Sequence, residues 1–381
     1  MTGAAPVSLY VHWPYCARIC PYCDFNVVRD RGRVEEQTAL VAAIAADIRA
    51  FAAVTGPRRL VSIFFGGGTP SLMEPAAVAG LIDVATGHWR AADDLEITLE
   101  ANPTDAEAAR FAGLAAAGVN RLSLGVQSLD DAALAFLGRN HDAATARRAV
   151  AVAAAAFPRL SVDLIYARPG QSVAGWEREL TAAVALGPEH ISPYQLTIEP
   201  GTAFHRAVSR GDLKPPGPDL AADLHEATQS VLSAAGFEAY EVSNHARGAA
   251  ARSRHNLAGW RGEDYVGVGP GAHGRLTLAG ARRFATATPR KIGDYIALAG
   301  EGAACRRLER LSAREAASER LLMGLRTLEG VSMDDLVALA GVAARAIALD
   351  GFVTIAAGRM AATVRGRLVL DRLIAELVGD D

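Results

Sequence analysis

Leu9-Tyr10-Val11-His12-Trp13-Pro14-Tyr15-Cys16-Ala17-Arg18-Ile19-Cys20-Pro21-Tyr22-Cys23-Asp24-Phe25 is the stretch on which the reading of this chain turns. Its opening residues are β-branched and aromatic and predict a strand over Leu9–His12, with the cysteines on the loop that leaves it. Three cysteines within eight residues, Cys16, Cys20 and Cys23, can seize a metal centre but cannot complete a four-thiolate shell. An iron–sulfur cube ordinarily takes four thiolates, so three leave one iron open to a small molecule. Two plainer readings compete. A zinc site could recruit His12 as fourth ligand, but zinc modules usually supply two separated ligand pairs, and C-x3-C-x2-C has no second pair here. A disulfide would strand one of the three thiols and needs an oxidising compartment. The remaining cysteine, Cys305, lies far downstream and reads as a free thiol.

Outward from that loop, strand-like and helix-like segments alternate. Strands are predicted at Leu9–His12, Leu60–Phe64, Leu95–Glu100, Arg121–Leu124, Leu160–Tyr166, His190–Leu196 and Ala239–Val242. Helical patterns run over Glu35–Phe51, Ala106–Ala116, Ala143–Ala156, Val173–Leu186 and Leu220–Ala235. Alternation of this kind implies parallel strands with right-handed helical crossovers. Several of the strands are nearly continuous apolar runs, as expected where both faces of a parallel sheet are covered.

The residues at the strand ends are more telling. The first strand runs into the cysteine loop and the second into Gly66-Gly67-Gly68-Thr69-Pro70. The third ends in Glu100-Ala101-Asn102-Pro103 and the fourth in Gly125-Val126-Gln127-Ser128. Asp163 lies inside the fifth, Tyr194-Gln195 closes the sixth, and Asn244-His245 comes after the seventh. In β/α barrels the C-terminal strand ends converge on one face and build the active site. Loops are polar in any case, yet that does not account for Glu100 and Asp163 inside apolar strands. One shared pocket does.

The expected fold class is therefore α/β: a partial (β/α) TIM-like barrel followed by a small C-terminal α+β domain. Residues 1–240 read as the barrel core, 241–305 as a barrel-closing and connecting region, and 306–381 as the C-terminal module. In that module, helices at Ala313–Leu325 and Met333–Leu339 precede a hairpin expected from Phe352–Ile355 and Arg367–Leu370, then a terminal helix. Helices followed by a two-stranded wing are winged-helix-like, but no basic stripe favours nucleic acid.

The cysteine loop, the triple-glycine loop and the barrel together resemble the radical S-adenosylmethionine (SAM) proteins. The similarity runs from Tyr10 into the C-terminal module and is to the oxygen-independent coproporphyrinogen III oxidase-like family. It implies that Cys16, Cys20 and Cys23 hold a [4Fe–4S] cluster whose fourth iron takes the amino and carboxylate groups of SAM. It also implies that the backbone amides of Gly67 and Gly68, with Thr69, lie against the methionine end, where a β-carbon would block close approach. Tyr10 and Tyr22 would line the cofactor and Glu100 would accept its hydrogen bonds. Gln127, Arg139 and Asp163 match further SAM-contacting positions of the oxidase, where a second SAM binds beside the first.

Two departures point to the haem-chaperone (HemW) branch. The oxidase carries a further cysteine two residues beyond the third ligand, where this chain has Phe25, and its long N-terminal extension is missing, only nine residues preceding Tyr10. The branch's H-N-x-x-Y-W segment reads here His255-Asn256-Leu257-Ala258-Gly259-Trp260, with Gly259 in place of the tyrosine. Histidine is an apt axial ligand for haem iron, and an indole can cover a macrocycle, so His255 and Trp260 are the candidate haem residues.

Two functions are expected in competition. In the first, the protein binds haem and passes it to an acceptor protein, the cluster drawing on an electron donor. In the second, one-electron cleavage of SAM yields a radical that decarboxylates porphyrinogen propionates, the cofactor carrying the chemistry and the barrel excluding water. Missing oxidase features favour the first, within porphyrin metabolism. Composition is that of an ordinary enzyme: 381 residues, half of them hydrophobic, with 39 basic and 42 acidic residues. Such a balance gives no argument for nucleic acid or an anionic membrane. No signal core opens the chain, and its conspicuous apolar stretch, Ala149 to Phe157, is too short to cross a bilayer. A cytoplasmic, reducing location is expected, and self-association as a homodimer is left open.

Overall fold

The computed structural model describes residues 4–278, 280, 282–300 and 308–379. Cys305, expected to be a free thiol, lies outside the described residues, as does the start of the 306–381 module.

Six strands lie side by side in chain order, all parallel: β1 (Pro6–Trp13), β2 (Arg59–Gly67), β3 (Arg90–Ala101), β4 (Arg121–Gln127), β5 (Arg159–Tyr166) and β6 (His190–Gln195). Beyond β6 come β7 (Glu238–Glu241) and β8 (Asn244–Ala246), with β8 antiparallel to both. At the other edge β9 (Tyr265–Val268) returns parallel to β1 and is extended by antiparallel β10 (His273–Leu278), β11 (Arg282–Ala287) and β12 (Leu308–Arg310). The result is one 12-stranded sheet in the order β12-β11-β10-β9-β1-β2-β3-β4-β5-β6-β8-β7. All seven strands predicted from the sequence are present. The antiparallel edge at 273–310 is additional, so the sheet continues past the point where the alternation fades.

Helices α1 (Val34–Thr55), α2 (Pro75–His88), α3 (Ala143–Ala156), α4 (Val173–Val184) and α5 (Pro218–Ala234) cover the outer face. Sequence chemistry fixes their starts. Asp142 and Ser172 cap α3 and α4 by accepting the Thr145 and Gly175 amides, satisfying donors that a first helical turn leaves orphaned. Among the described residues, α1 is the single helix long and apolar enough to cross a membrane, and it outruns the Ala149–Phe157 stretch. Its Leu40, Ile44, Ile48 and Phe51 form a stripe that is wholly buried in the main core, so here it packs on the sheet.

A separate C-terminal domain has its own core, in which Leu321, Leu336, Met360 and Leu377 are fully buried. It combines α7 (Ala313–Gly324), α8 (Val342–Ala348) and α9 (Leu370–Val378) with a small sheet, α6 being the Arg254–Trp260 helix that precedes it. The expected hairpin partner at Arg367–Leu370 is corrected. Val353–Ala356 pairs with Arg359–Ala362, and Val331–Ser332 joins as a third strand, while residues 364–368 and 370–378 are helical. Ala357 and Gly358 both hold positive φ, 49° and 73°, the backbone of a tight two-residue hairpin turn. Thr363 then caps the next helix through the Gly366 amide, which prevents a strand there.

Candidate functional site

The inward-facing side chains of the barrel are largely polar and stack in rows set by the strand register. One row runs Ser8–Ser62–Glu96 and the next Tyr10–Phe64–Thr98–Arg121–Arg159. Above them Glu100, Ser123, Ser161 and His190 stand in register across β3 to β6, with Asp163 and Ser192 paired one step higher. Above this floor, at the C-terminal strand ends, is a cavity of about 640 Å3.

Cys16, Cys20 and Cys23 all line the cavity, and all three are free thiols. Their loop is pinned at several points. Tyr15–Cys16 pairs with Val28–Arg29, the Cys23 amide donates to the Cys20 carbonyl (3.2 Å), and the Phe204 amide donates to that of Pro21 (3.0 Å). Gly138 packs beneath it, since a β-carbon there would fall 2.6 Å from the Pro21 ring. Burial pushes the Cys16 thiol up to about 11 against the pull of the Thr69 hydroxyl, and burial also raises Cys23. Thiols held protonated release their protons when they bind a metal centre. No three His, Cys, Asp or Glu side chains among the described residues converge as a single ion requires. His12, the fourth ligand of the zinc reading, is engaged at both nitrogens: Nδ1 with the Tyr10 hydroxyl (3.0 Å) and Nε2 with the Asn26 carbonyl (2.9 Å).

The triple-glycine loop lies against the cysteine loop, for a reason different from the one expected. The Gly67 amide donates to Glu100 Oε2 (3.1 Å), that of Gly68 to the Trp13 carbonyl (2.7 Å) and that of Thr69 to the Tyr15 carbonyl (2.8 Å). These donors are already used inside the protein. A β-carbon on Gly68 would sit 2.6 Å from the Tyr15 carbonyl oxygen, and one on Gly67, whose φ is +106°, 2.4 Å from the His12 ring. Glycine is thus required by the loop's own packing on β1 and the cysteine segment.

Arg139 ties three elements together. It donates to Cys20 Sγ (3.3 Å), to the Gly125 carbonyl (3.1 Å) and to Asn102 Oδ1. Asn102, missing from the expected site, in turn donates to Thr69 Oγ1 (3.1 Å). Gln127 closes β4 at a φ of 63°, just past a register shift, a local kink that re-aims its side chain to the cavity. Glu100 and Asp163 both face the cavity yet sit deep in the barrel. Burial, and then the Asp163 charge, pushes Glu100 up to about 7; burial also raises Asp163 although Ser123 (2.9 Å) and Ser161 (3.3 Å) donate to it.

Tyr22, Gly67, Gly68, Thr69, Glu100, Gln127, Arg139 and Asp163 therefore share one cavity wall with the three cysteines. Tyr10 is not in that wall; it sits behind Phe64 (ring centroids 6.2 Å apart) with Gly66 against its ring. Two further lining residues, Arg121 and Arg326, carried no loop or spacing signal in the sequence.

The two candidate haem residues are not brought together. Both belong to α6, whose first amides, Arg254 and His255, donate to the buried Glu96 carboxylate (3.1 Å each). His255 stacks on Phe64 (4.8 Å), contacts Ser62 Oγ through Nδ1 (3.2 Å), and burial pulls its ring down to about 4. Trp260 lies under the Arg326 guanidinium (4.5 Å), where the C-terminal domain meets the barrel. Positions five apart on a helix point about 140° apart.

Comparison with known proteins agrees with this arrangement. The radical SAM superfamily model matches residues 10–182, and the HemN C-terminal domain model matches residues 311–369. The heme chaperone HemW of Mycobacterium tuberculosis is 37% identical over 98% of this chain and 95% of its own length. HemW of Escherichia coli is 35% identical over 98% of both. The mitochondrial radical S-adenosyl methionine domain-containing protein 1 of Bos taurus is 43% identical over 87% of this chain and 75% of its own. Among solved structures, the Escherichia coli coproporphyrinogen III oxidase HemN superposes with a TM-score of 0.78 over 98% of this chain and 90% of its own, at 21% identity, a likeness of fold.

Proposed function

The chain belongs to the radical SAM superfamily, among the HemN/HemW-related proteins, and from that premise we propose that it is a haem chaperone. In this reading Cys16, Cys20 and Cys23 hold a [4Fe–4S] cluster over the barrel cavity, SAM lies beneath it, and haem is bound and passed to an acceptor protein. The observation that carries the reading is a three-thiol loop at the mouth of a polar barrel, in a chain collinear with haem chaperones over nearly its whole length. Phe25, 62% exposed at that mouth, adds to it, because the oxidase has a cysteine there.

SAM use and iron–sulfur clusters are typical of this superfamily. A cluster held by three thiolates supplies one electron to a ligand on its open iron. The protein's own side chains set the surroundings. Arg139 donates to Cys20 Sγ, the kind of outer contact that tunes a metal centre. Glu100 and Asp163 offset the positive charges of SAM and accept its hydrogen bonds. Gln127 and Tyr22 complete the wall, and Thr69 holds Asn102 and the base of the loop.

This gives SAM binding a pH dependence. In the empty site Glu100 is protonated up to about 7, whereas a cationic ligand favours its ionised form. Affinity of the cluster-loaded protein for SAM is expected to rise with pH across ~6–8, by no more than ~10-fold per pH unit, and then to flatten. Stability of the empty protein changes in the opposite sense. A carboxyl raised from 4.5 to about 7 stabilises the fold at low pH, and that contribution is lost as pH rises through the upper value. Equilibrium SAM binding by wild type and Glu100→Gln tests this, since a slope that persists in the variant assigns the proton elsewhere.

The oxidase alternative is separated by anaerobic incubation of cluster-loaded protein with SAM, a strong reductant and coproporphyrinogen III. No decarboxylated porphyrin is expected while the cluster stays intact. Clear conversion would make this chain an oxidase.

A further inference from the structure

Arg121, at the start of β4, has no task in SAM or cluster binding. It is 1% exposed, lines the cavity and has no hydrogen-bond partner at Nε or Nη2. The carboxylates around it are committed elsewhere. Glu96 is bound by Arg159 (2.7 Å) and two α6 amides, Glu100 by the Gly67 amide, and Asp163 by the Ser123 and Ser161 hydroxyls. Its register partner on β3, Thr98, is fully buried, and that hydroxyl also lacks a partner. A planar fork of two unpartnered donors is the complement of a carboxylate. Burying two guanidinium donors without hydrogen-bond partners is costly, and that cost is recovered when an anion reaches them.

We propose that Arg121 binds a propionate carboxylate of the tetrapyrrole that this protein carries. The assignment rests on the haem-handling reading. It is distinct from the place at the cluster where SAM's own carboxylate would go. Arg139 meets Cys20 at the level of Gly125, and Arg121 lies four residues lower on the same strand, a drop of about 13 Å. Glu100 and Asp163 lie between these levels.

The test titrates haem and haem dimethyl ester, which lacks free carboxylates, anaerobically into cluster-loaded protein. Wild type is expected to prefer haem by ~10–100-fold, the worth of a hydrogen-bonded charge. In Arg121→Met the preference is expected to vanish, while haem dimethyl ester is bound as it is by wild type. Arg121→Lys keeps the charge beside Glu96, Glu100 and Asp163 without the fork, and is expected to lose most of the preference; it decides the matter if the methionine variant does not fold. A preference that survives in the lysine variant, or a wild type that binds both compounds equally, overturns the assignment and leaves Arg121 as a structural counter-charge. A wild type that binds neither compound removes the haem reading itself.

Discussion

Replacing Cys20 by serine is expected to leave a folded protein that no longer assembles its cluster. Cys20 is half-buried at the cavity mouth and accepts a hydrogen bond from the Arg139 guanidinium at 3.3 Å. A serine hydroxyl is a poor iron ligand and stays protonated. With two thiolates left, iron and sulfide content should fall to background and SAM affinity by more than ~100-fold, beyond the 10–100-fold typical of outer-sphere changes. Stability of the empty protein should move by less than ~1 kcal/mol, because no core contact is lost. Iron and sulfide analysis, with SAM binding on the same sample, checks both parts. A serine variant with a full cluster would show that Cys20 is not a ligand.

A comparably large effect is expected on stability from Glu96→Ala. The Glu96 side chain is wholly buried and holds Arg159 (2.7 Å) together with the first two amides of α6. Removing the carboxylate leaves a guanidinium and two helix donors without their partner, which costs about 3–5 kcal/mol for a buried pair. Urea unfolding should show the loss, and Glu96→Gln, which keeps an acceptor, should lose less. The pH dependence has a definite sign. Burial alone would raise this carboxyl, but Arg121, Arg159 and the two amides hold it below its ordinary 4.5. Its contribution is therefore present above that value and fades as pH falls through the lower one, so wild type and alanine variant should converge in acid. A difference under ~1 kcal/mol at neutral pH would mean that α6 does not depend on Glu96.

The parallel strands were legible because several are near-continuous apolar runs alternating with helical segments, and the polar residues closing them stood out against that background. Glu100 and Asp163 were found this way. The antiparallel edge was not legible, for its strands are neither apolar nor cleanly alternating. His273, Arg275, Arg282 and Arg283 crowd two short strands, and their acceptors are remote: Arg275 pairs with Glu319 and Arg283 with Asp264. The wing was misplaced because its turn is Ala357-Gly358, which lacks the asparagine or aspartate that usually marks a two-residue hairpin. Spacing could not show that His255 and Trp260 face different ways, since nothing local distinguishes a loop from the short α6 set on Glu96. Arg121 escaped notice for a similar reason. Its setting is a property of the barrel interior, where β3 and β5 bring committed carboxylates around it, and no sequence window contains them all.

The most direct test of the cluster-over-cavity arrangement is electron paramagnetic resonance of the reduced, anaerobically reconstituted protein, recorded with and without SAM. Three thiolates leave one iron without a protein ligand, so SAM should change the cubane signal, and the change should be weakened in Glu100→Gln and Arg139→Met. A cubane spectrum unaltered by saturating SAM would mean that the fourth iron is closed, and the account of the cavity as a SAM site would be wrong.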